Sequence, residues 1–328
     1  MKFKTYSLFI LSVTLILIIA SCKKNSGPVP PKNVDVYVAG YTTSSGNYSI
    51  ATYWRNGVAT KLSDSLSNSA ATAIALKDTN VYVAGYTTAS NGRELATLWK
   101  NGVVNKLTDG SFYATANAMA VSGNDVYVAG YTTAPNGHWV AAYWKNGIMT
   151  KLTDGSLDAS LSAIAVSGND VYAVGIAGNA AVLWKNGTAT TLTTGSTVSY
   201  ASSIAVNGND VYVAGYVGGI GATYWKNGVA SELPNNSVYS SARSITLNGN
   251  DVYVAGFSTE NVAAYWKNGK PVTLAGSSPD AFVTGIAVQG NDVYVSGDFD
   301  VNAGYWKNGI DVSLTPNGST YGIALVSH

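Results

Sequence analysis

Seven copies of one short unit predict an all-β fold, a seven-bladed β-propeller of four-stranded antiparallel blades. The first observation is a VYVAG-type strand that recurs at Val36, Val81, Val126, Val171, Val211, Val252 and Val293. The second is a Trp-[Lys/Arg]-Asn-Gly motif after each of these strands, with a leucine eight residues after every tryptophan. The third is composition: Gly, Tyr, Val, Thr, Ser and Asn are abundant, and charged residues make up 11% of the chain. Because β-branched and aromatic residues favour strands, each unit is expected to form a small sheet.

Each unit contains four predicted strands, of the types AIAV, VYVAG, AAYWK and VATKL, and the glycine of VYVAG is interpreted as ending its strand. Asn-Asp joins the first two strands in most units and Asn-Gly joins the last two, and both pairs favour tight hairpins. A repeated meander of this kind is typical of propeller blades, which bury their faces against one another. The repeated tryptophans and tyrosines are therefore predicted to fill the space between sheets. The Lys or Arg after each tryptophan is expected on a solvated hairpin face, offset by turn acids such as Asp125.

The two ends of the repeat region predict that the ring is closed. The first unit begins at its second strand, near Asn33, so its own first strand is missing there. The segment 321–326 matches an AIAV strand and has no following partner. We expect this C-terminal strand to pair with Val34–Ala39, which removes the open edges that would invite aggregation.

The N-terminal residues predict export and lipidation. Residues 1–21 carry Lys2 and Lys4 before an apolar run from Ser7 to Ile19, as in a lipoprotein signal peptide. The segment ending at Cys22, Ile-Ala-Ser-Cys, resembles the lipobox of bacterial lipoproteins, which implies acylation of Cys22, the single cysteine of the chain. The alternative is an ordinary secretory signal cut near Ala20.

Residues 22–33 are polar and proline-containing, so they are predicted to be a tether, and residues 34–328 the propeller. The lipid chains make the membrane the expected partner of the N-terminus. The expected location is the cell envelope, at the outer membrane, with the folded body facing either the periplasm or the medium.

The units resemble the tryptophan-asparagine-glycine repeats of bacterial extracellular propellers, including the HAF-type extracellular repeat. The resemblance lies in Trp-[Lys/Arg]-Asn-Gly followed by Leu, with an apolar strand before it, and covers residues 34–328. It implies an extracellular propeller but no particular activity, because the motif encodes a hairpin. The pairs typical of WD40 repeats, the double glycine of kelch repeats and the aspartate box of sialidases are not found in these units.

The blades differ most between the second and third strands. From the VYVAG glycine to the tryptophan, blades one to three are four or five residues longer than the other blades. Propeller topology places these loops on the face that carries the blade-to-blade connections, where ligands usually bind. The ligand-binding candidates in the three loops are Tyr48, Arg93, Glu94, His138 and Trp139.

A loop aromatic flanked by Asn and Ser is typical of a sugar-stacking site, and Trp139 is the one tryptophan outside the repeat position. The three loops therefore predict a site for a glycan or for a partner protein. The alternative is that they are longer hairpins whose aromatic side chains pack down onto the sheet.

Other functional classes are restricted by composition. A formal net charge of +1 provides no basic field for nucleic acid. His138 and His328 are the only histidines, so a His/Cys metal cluster is excluded, no cofactor is expected, and a Ser-His-Asp relay would depend on His138. The segment Asp298-x-Asp300-x-Asn302 superficially resembles a calcium loop but lacks its glycine and final glutamate.

Carboxylates in loops leave open the possibility of a catalytic pair of the kind that glycosidases use. They are Asp109, Asp154, Asp158, Asp280 and Glu260. The first functional prediction is nevertheless a non-enzymatic binding module for carbohydrate or protein. The alternatives are a glycan-active hydrolase or lyase on the same scaffold, and a structural subunit of an envelope complex.

Overall fold

The computed structural model describes residues 34–194, 197–234, 237–258, 262–274, 281–299 and 302–328. Cys22 and the other residues of 1–33 lie outside this range, as do Glu260, Asp280 and Asp300. Within the described ranges, 28 strands form seven antiparallel sheets of four strands each, and no helix there is long and apolar enough to cross a membrane.

The first blade combines β1 (Val34–Thr43), β2 (Ser49–Arg55) and β3 (Val58–Lys61) with the last strand of the chain, β28 (Gly318–Ser327). The second blade contains β4 (Ser69–Lys77), β5 (Asn80–Thr88), β6 (Glu94–Lys100) and β7 (Val103–Lys106), and the third contains β8 (Ala114–Ser122), β9 (Asp125–Thr133), β10 (Trp139–Lys145) and β11 (Ile148–Lys151). The fourth blade contains β12 (Ala159–Ser167), β13 (Asp170–Ala177), β14 (Ala180–Lys185) and β15 (Thr188–Thr191), and the fifth contains β16 (Ser199–Asn207), β17 (Asp210–Val217), β18 (Gly221–Lys226) and β19 (Val229–Glu232). The sixth blade contains β20 (Ser241–Asn248), β21 (Asp251–Phe257), β22 (Ala263–Lys267) and β23 (Lys270–Thr273), and the seventh contains β24 (Phe282–Gln289), β25 (Asp292–Phe299), β26 (Asn302–Lys307) and β27 (Ile310–Pro316).

The first strands of successive blades contact one another around a complete ring, from β4 through β8, β12, β16, β20 and β24 to β28 and back to β4. The predicted seven-bladed β-propeller is therefore confirmed. The predicted closure is confirmed too, because β28 pairs antiparallel with β1 from Val34 opposite Ser327 to Thr42 opposite Gly318.

A half-buried carboxylate fastens this closing strand to the last blade. Asp298 in β25 accepts hydrogen bonds from the Thr320 N–H at 2.8 Å, from Thr320 Oγ1 at 3.2 Å and from the Ser319 hydroxyl. Burial raises the pKa of Asp298, although these hydrogen bonds act in the opposite direction. Asp298 thus belongs to the closure of the ring.

All seven repeat tryptophans are buried, as predicted. Trp99 of the second blade shares a buried cluster with Ala39 and Ala51 of the first blade, so the indole fills the gap between neighbouring sheets. The tryptophans of each blade therefore supply a large part of the apolar surface buried between blades.

The Asn-Gly pair and the Lys or Arg before it, which follow each tryptophan, join the two hairpins of a blade. In the third blade, Lys145 Nζ lies 2.8 Å from Asp125 Oδ2 and Asn146 Nδ2 donates to Asp125 Oδ1 at 2.7 Å. Asn146 adopts a φ of 52° and its Oδ1 accepts the Val126 N–H at 2.9 Å. The hydrogen bonds from Lys145 and Asn146 lower the pKa of Asp125. The repeated cations are thus offset by turn acids. The second blade is the exception, because Asn80 stands at the place of the aspartate and Lys100 Nζ instead lies 5.3 Å from the centroid of the Tyr82 ring.

The VYVAG glycine does not end its strand, contrary to the sequence interpretation. Gly85 lies inside β5, opposite a β-bulge between Ala71 and Ala73 of β4. A Cβ at Gly85 would lie 1.9 Å from the carbonyl oxygen of Ala70, so only glycine fits. The first strand of every blade carries the equivalent bulge, which places one extra residue of that strand at the centre of the ring.

Candidate functional site

The three long loops are tight hairpins of one design. In each loop, the backbone N–H of the first residue of a five-residue turn donates to the carbonyl of the fifth at 2.8 Å. The three pairs are Ser44 and Tyr48, Ala89 and Arg93, and Ala134 and His138. A residue with positive φ precedes the last position in every case, Asn47 at 62°, Gly92 at 79° and Gly137 at 87°. Such turns hold the side chains that follow them in fixed directions.

Each hairpin is fixed to the connection that leads to the next blade. The Ser49 N–H donates to Asn68 Oδ1 at 3.0 Å in the first blade. Asn91 Nδ2 donates to the Gly110 carbonyl at 3.2 Å in the second, and Asn136 Nδ2 to the Gly155 carbonyl at 2.9 Å in the third. The hairpins and the blade connections therefore lie on one face, which we call the loop face.

The third hairpin presents an aromatic platform beside a carboxylate. The Trp139 ring stacks on Tyr131, with centroids 4.8 Å apart and an interplanar angle of 25°, and Trp139 remains 44% exposed. Asp158 Oδ1 accepts the Trp139 N–H at 2.8 Å and lies 3.1 Å from His138 Nδ1. Both contacts lower the pKa of Asp158, and the hydrogen bond from the Trp139 N–H has the larger effect. The site thus combines a supported indole face with an ionised carboxylate that is 58% exposed.

In the second hairpin, the charged groups bind the protein itself. Arg93 Nη1 donates to the Gly110 carbonyl at 3.3 Å and to the Ser111 carbonyl. Glu94 Oε2 accepts the Thr115 hydroxyl at 2.9 Å. Both residues therefore contribute to holding the connection between the second and third blades.

Tyr48 in the first hairpin is 42% exposed, and its backbone N–H donates to Ser44 Oγ at 3.1 Å. The described contacts join each hairpin to the connection that follows its own blade. Of the five predicted site residues, they bring His138 and Trp139 together, because both contact Asp158. Tyr48 and the pair Arg93 and Glu94 belong to the two neighbouring hairpins of the same arc.

Two of the loop acids, Asp109 and Asp154, form turns. Asp109 Oδ1 accepts the Ser111 N–H and Asp154 Oδ1 accepts the Ser156 N–H, each at 2.8 Å. These hydrogen bonds lower the pKa of both aspartates. Among the residues that the structure describes, no group of three or more His, Cys, Asp or Glu side chains could hold a metal ion.

Sequence reasoning missed a second set of residues, at the centre of the ring. Each bulge contributes one residue to the lining of a cavity of about 250 Å³. The bulge residues are Thr72, Asn117, Ser162, Ser202, Arg243, Thr284 and Tyr321. The sequence does carry a signal for this set. In each first strand, the residue two positions before the Ile or Met differs in size and charge from blade to blade, whereas the residue after it is always Ala, Ser or Gly.

Comparison with known proteins adds the fold and no activity. No protein-family model matches the chain, and no curated protein matches it. In contrast, 231 chains of solved structures match it, so the scaffold is widespread. One of them is a puromycin-hydrolyzing peptidase of Mycobacterium tuberculosis, with a TM-score of 0.55 and 12% sequence identity. The match covers 85% of this chain and 53% of that one, so this chain spans about half of the peptidase's length. At this identity the likeness establishes the propeller fold alone.

Proposed function

We propose that this protein is a non-enzymatic, glycan-binding module of the bacterial cell envelope, with its binding site on the loop face of the first three blades. The observation that carries the proposal is the exposed Trp139 ring stacked on Tyr131 beside Asp158. Tyr48 and Arg93 extend this surface on the neighbouring hairpins.

The geometry of Trp139 suits a sugar ring. An indole face attracts the C–H groups of a pyranose, and the underlying Tyr131 holds that face in one orientation before the ligand arrives. Asp158 is exposed and ionised, so its carboxylate can accept hydrogen bonds from sugar hydroxyls at the edge of the platform.

The described acids favour binding over hydrolysis. A general acid needs a pKa near the working pH, whereas hydrogen bonds lower the pKa of Asp109, Asp154 and Asp158. Asp298 has a raised pKa, but both of its oxygens accept hydrogen bonds from the closing strand.

The proposal places the propeller on the outer membrane through acyl chains on Cys22, with residues 22–33 as the tether. The support for this part is the sequence pattern around Cys22.

A glycan array tests the site. All seven blades are completed by strands within 34–328, so residues 32–328 are a self-contained unit for the assay. We expect Trp139→Ala to weaken binding of the recognised glycans by about 10- to 100-fold, the loss of one buried aromatic contact. Tyr239→Ala is the matched control, because Tyr239 is an aromatic residue with 80% exposure in the connection between the fifth and sixth blades.

Unchanged glycan binding by a folded double variant, Trp139→Ala with Tyr48→Ala, would show that the site is wrong. If no glycan binds and a surface protein is instead retained in a Trp139-dependent manner, the ligand class is wrong and the loop face is a protein-binding surface.

A further inference from the structure

The central cavity contains one charged bulge residue among neutral ones. Arg243 of the sixth blade lies between Ser202 of the fifth and Thr284 of the seventh, and all three line the cavity. The other bulge residues are hydroxyl or amide side chains. The small residue and the Ile or Met that follow the bulge residues complete the lining in most blades, so the cavity combines polar and apolar groups with a single guanidinium.

Arg243 has no described carboxylate partner, which it shares with Lys100 but with none of the other repeated cations. Its guanidinium contacts three aromatic rings, with centroids 5.9 Å away for Tyr200, 5.7 Å for Phe257 and 5.3 Å for Phe282. Its Nε is buried and has no hydrogen-bond partner among the described residues. Cation–π contacts stabilise the guanidinium but leave its N–H donors unused, and a buried unused donor costs free energy.

A second unused polar atom lies next to it in the ring. The Ser202 hydroxyl is buried and has no described partner. The serines that follow these bulge residues behave differently: Ser203 Oγ accepts the Ile245 N–H and Ser244 Oγ accepts the Ile286 N–H, each at 3.2 Å. Ser203 and Ser244 thus join neighbouring blades, whereas Ser202 and Arg243 line the cavity with hydrogen-bonding capacity to spare.

We propose that the central cavity binds a hydroxylated monocarboxylate of monosaccharide size, such as a hexuronate, with its carboxylate on Arg243. The planar fork of a guanidinium fits the two oxygens of a carboxylate. One cation in a cavity otherwise lined by neutral groups matches one negative charge, which favours a carboxylate over a phosphate dianion.

The rest of the cavity matches the rest of that ligand. The Ser162 hydroxyl and the Asn117 amide oxygen line the cavity and can bind sugar hydroxyls. The aromatic rings packed on the Arg243 guanidinium hold it in place from outside the cavity lining. A volume of about 250 Å³ lies just below the usual range for drug-sized ligands, which restricts the ligand to about one sugar ring. This site is separate from the Trp139 platform and does not rest on the proposed function.

Titration calorimetry on residues 32–328 tests the proposal with galacturonate, glucuronate, galactose, acetate and inorganic phosphate as probes. We expect binding of at least one uronate, and at least about tenfold weaker binding of galactose, acetate and phosphate. Arg243→Met should weaken uronate binding by about 10- to 100-fold, the loss of a charge-assisted hydrogen-bonded pair, and Arg243→Lys should restore part of it.

Two further variants separate this role from a purely structural one. Ser162→Ala retains the cation and should weaken uronate binding several-fold, which tests the site even if Arg243→Met does not fold. Lys61→Met removes an exposed cation of β3, outside both proposed sites, and should leave uronate binding unchanged. Trp139→Ala should also leave it unchanged, so failure of the glycan platform and failure of the cavity site give different results.

The proposal is overturned if neither uronate binds, if phosphate or acetate binds as tightly as the uronates, or if folded Arg243→Met and Ser162→Ala variants bind uronate as the parent protein does. In the last case Arg243 acts only as a packing residue.

Discussion

Replacement of Asp298 tests how the ring is closed. In the Asp298→Ala variant, the Thr320 N–H and the Thr320 hydroxyl lose their shared acceptor, and Thr320 is completely buried. The Thr320 hydroxyl keeps Thr284 Oγ1 as a partner at 3.2 Å, so the Thr320 N–H carries the loss. One buried donor left unsatisfied costs about 1–3 kcal/mol, and we expect the free energy of unfolding to fall by about that amount. Urea denaturation followed by tryptophan fluorescence measures this loss, because the seven repeat tryptophans are buried in the folded state.

The pH dependence of the same site has a defined sign. Burial raises the pKa of Asp298 above its ordinary value of 3.8, so the folded protein holds this proton more tightly than the unfolded chain does. Its protonated form therefore stabilises the fold below pH 3.8, and this stabilisation is lost as the pH rises through the raised pKa. Asp298→Asn imitates the protonated form, so its stability should not change with pH through this residue. We expect the parent protein to lose stability relative to Asp298→Asn between pH 3.5 and pH 7, on the order of 1.4 kcal/mol for each unit of pKa shift.

Two results would refute this reasoning. One is an Asp298→Asn variant as unstable as Asp298→Ala, which would mean that the negative charge holds the closing strand. The other is a stability difference between the parent protein and Asp298→Asn that stays constant with pH, which would mean that Asp298 has the same pKa in the folded and unfolded states.

Gly85→Ala should destabilise the propeller far more than Gly46→Ala, because a Cβ at Gly85 meets a carbonyl oxygen at 1.9 Å whereas a Cβ at Gly46 meets nothing closer than Tyr48 Cδ2 at 3.5 Å, an ordinary van der Waals contact. Thermal unfolding compares the two variants, and equal losses would contradict the bulge argument. Cys22→Ser should abolish incorporation of labelled palmitate and release the protein from the membrane fraction. Continued palmitate labelling of Cys22→Ser would contradict lipidation at this cysteine.

The fold could be predicted because its signals are local and repeated. Asn-Gly at residues 146–147 specifies a hairpin by the positive φ of its residues, and the register of Trp144 relative to that turn is the same in every blade. The unmatched strand at residues 321–326 then required a partner, and β1 was the one strand without a first-strand neighbour.

The errors and omissions concern contacts between distant parts of the chain. Gly85 looked like the end of a strand because the bulge opposite it depends on pairing with Ala71, in another strand. Asp158 was predicted only as a loop acid, and its role beside Trp139 arises from the docking of a hairpin on a blade connection. Arg243 stands within an ordinary strand pattern, and its position at the centre of the ring depends on the assembly of all seven blades.

The pairing of β28 with β1 has a mechanical consequence. β1 lies between β28 on one side and β2 on the other, so the N-terminal strand is hydrogen-bonded along both edges. A pull on the chain just before Val34 in the direction of the strand loads both ladders at once in shear, whereas an edge strand pulled in the same way would be held by one ladder. A propeller held by its N-terminus thus transmits tension directly into its most heavily paired strand, and drag on the folded body is resisted by the same contacts that close the ring.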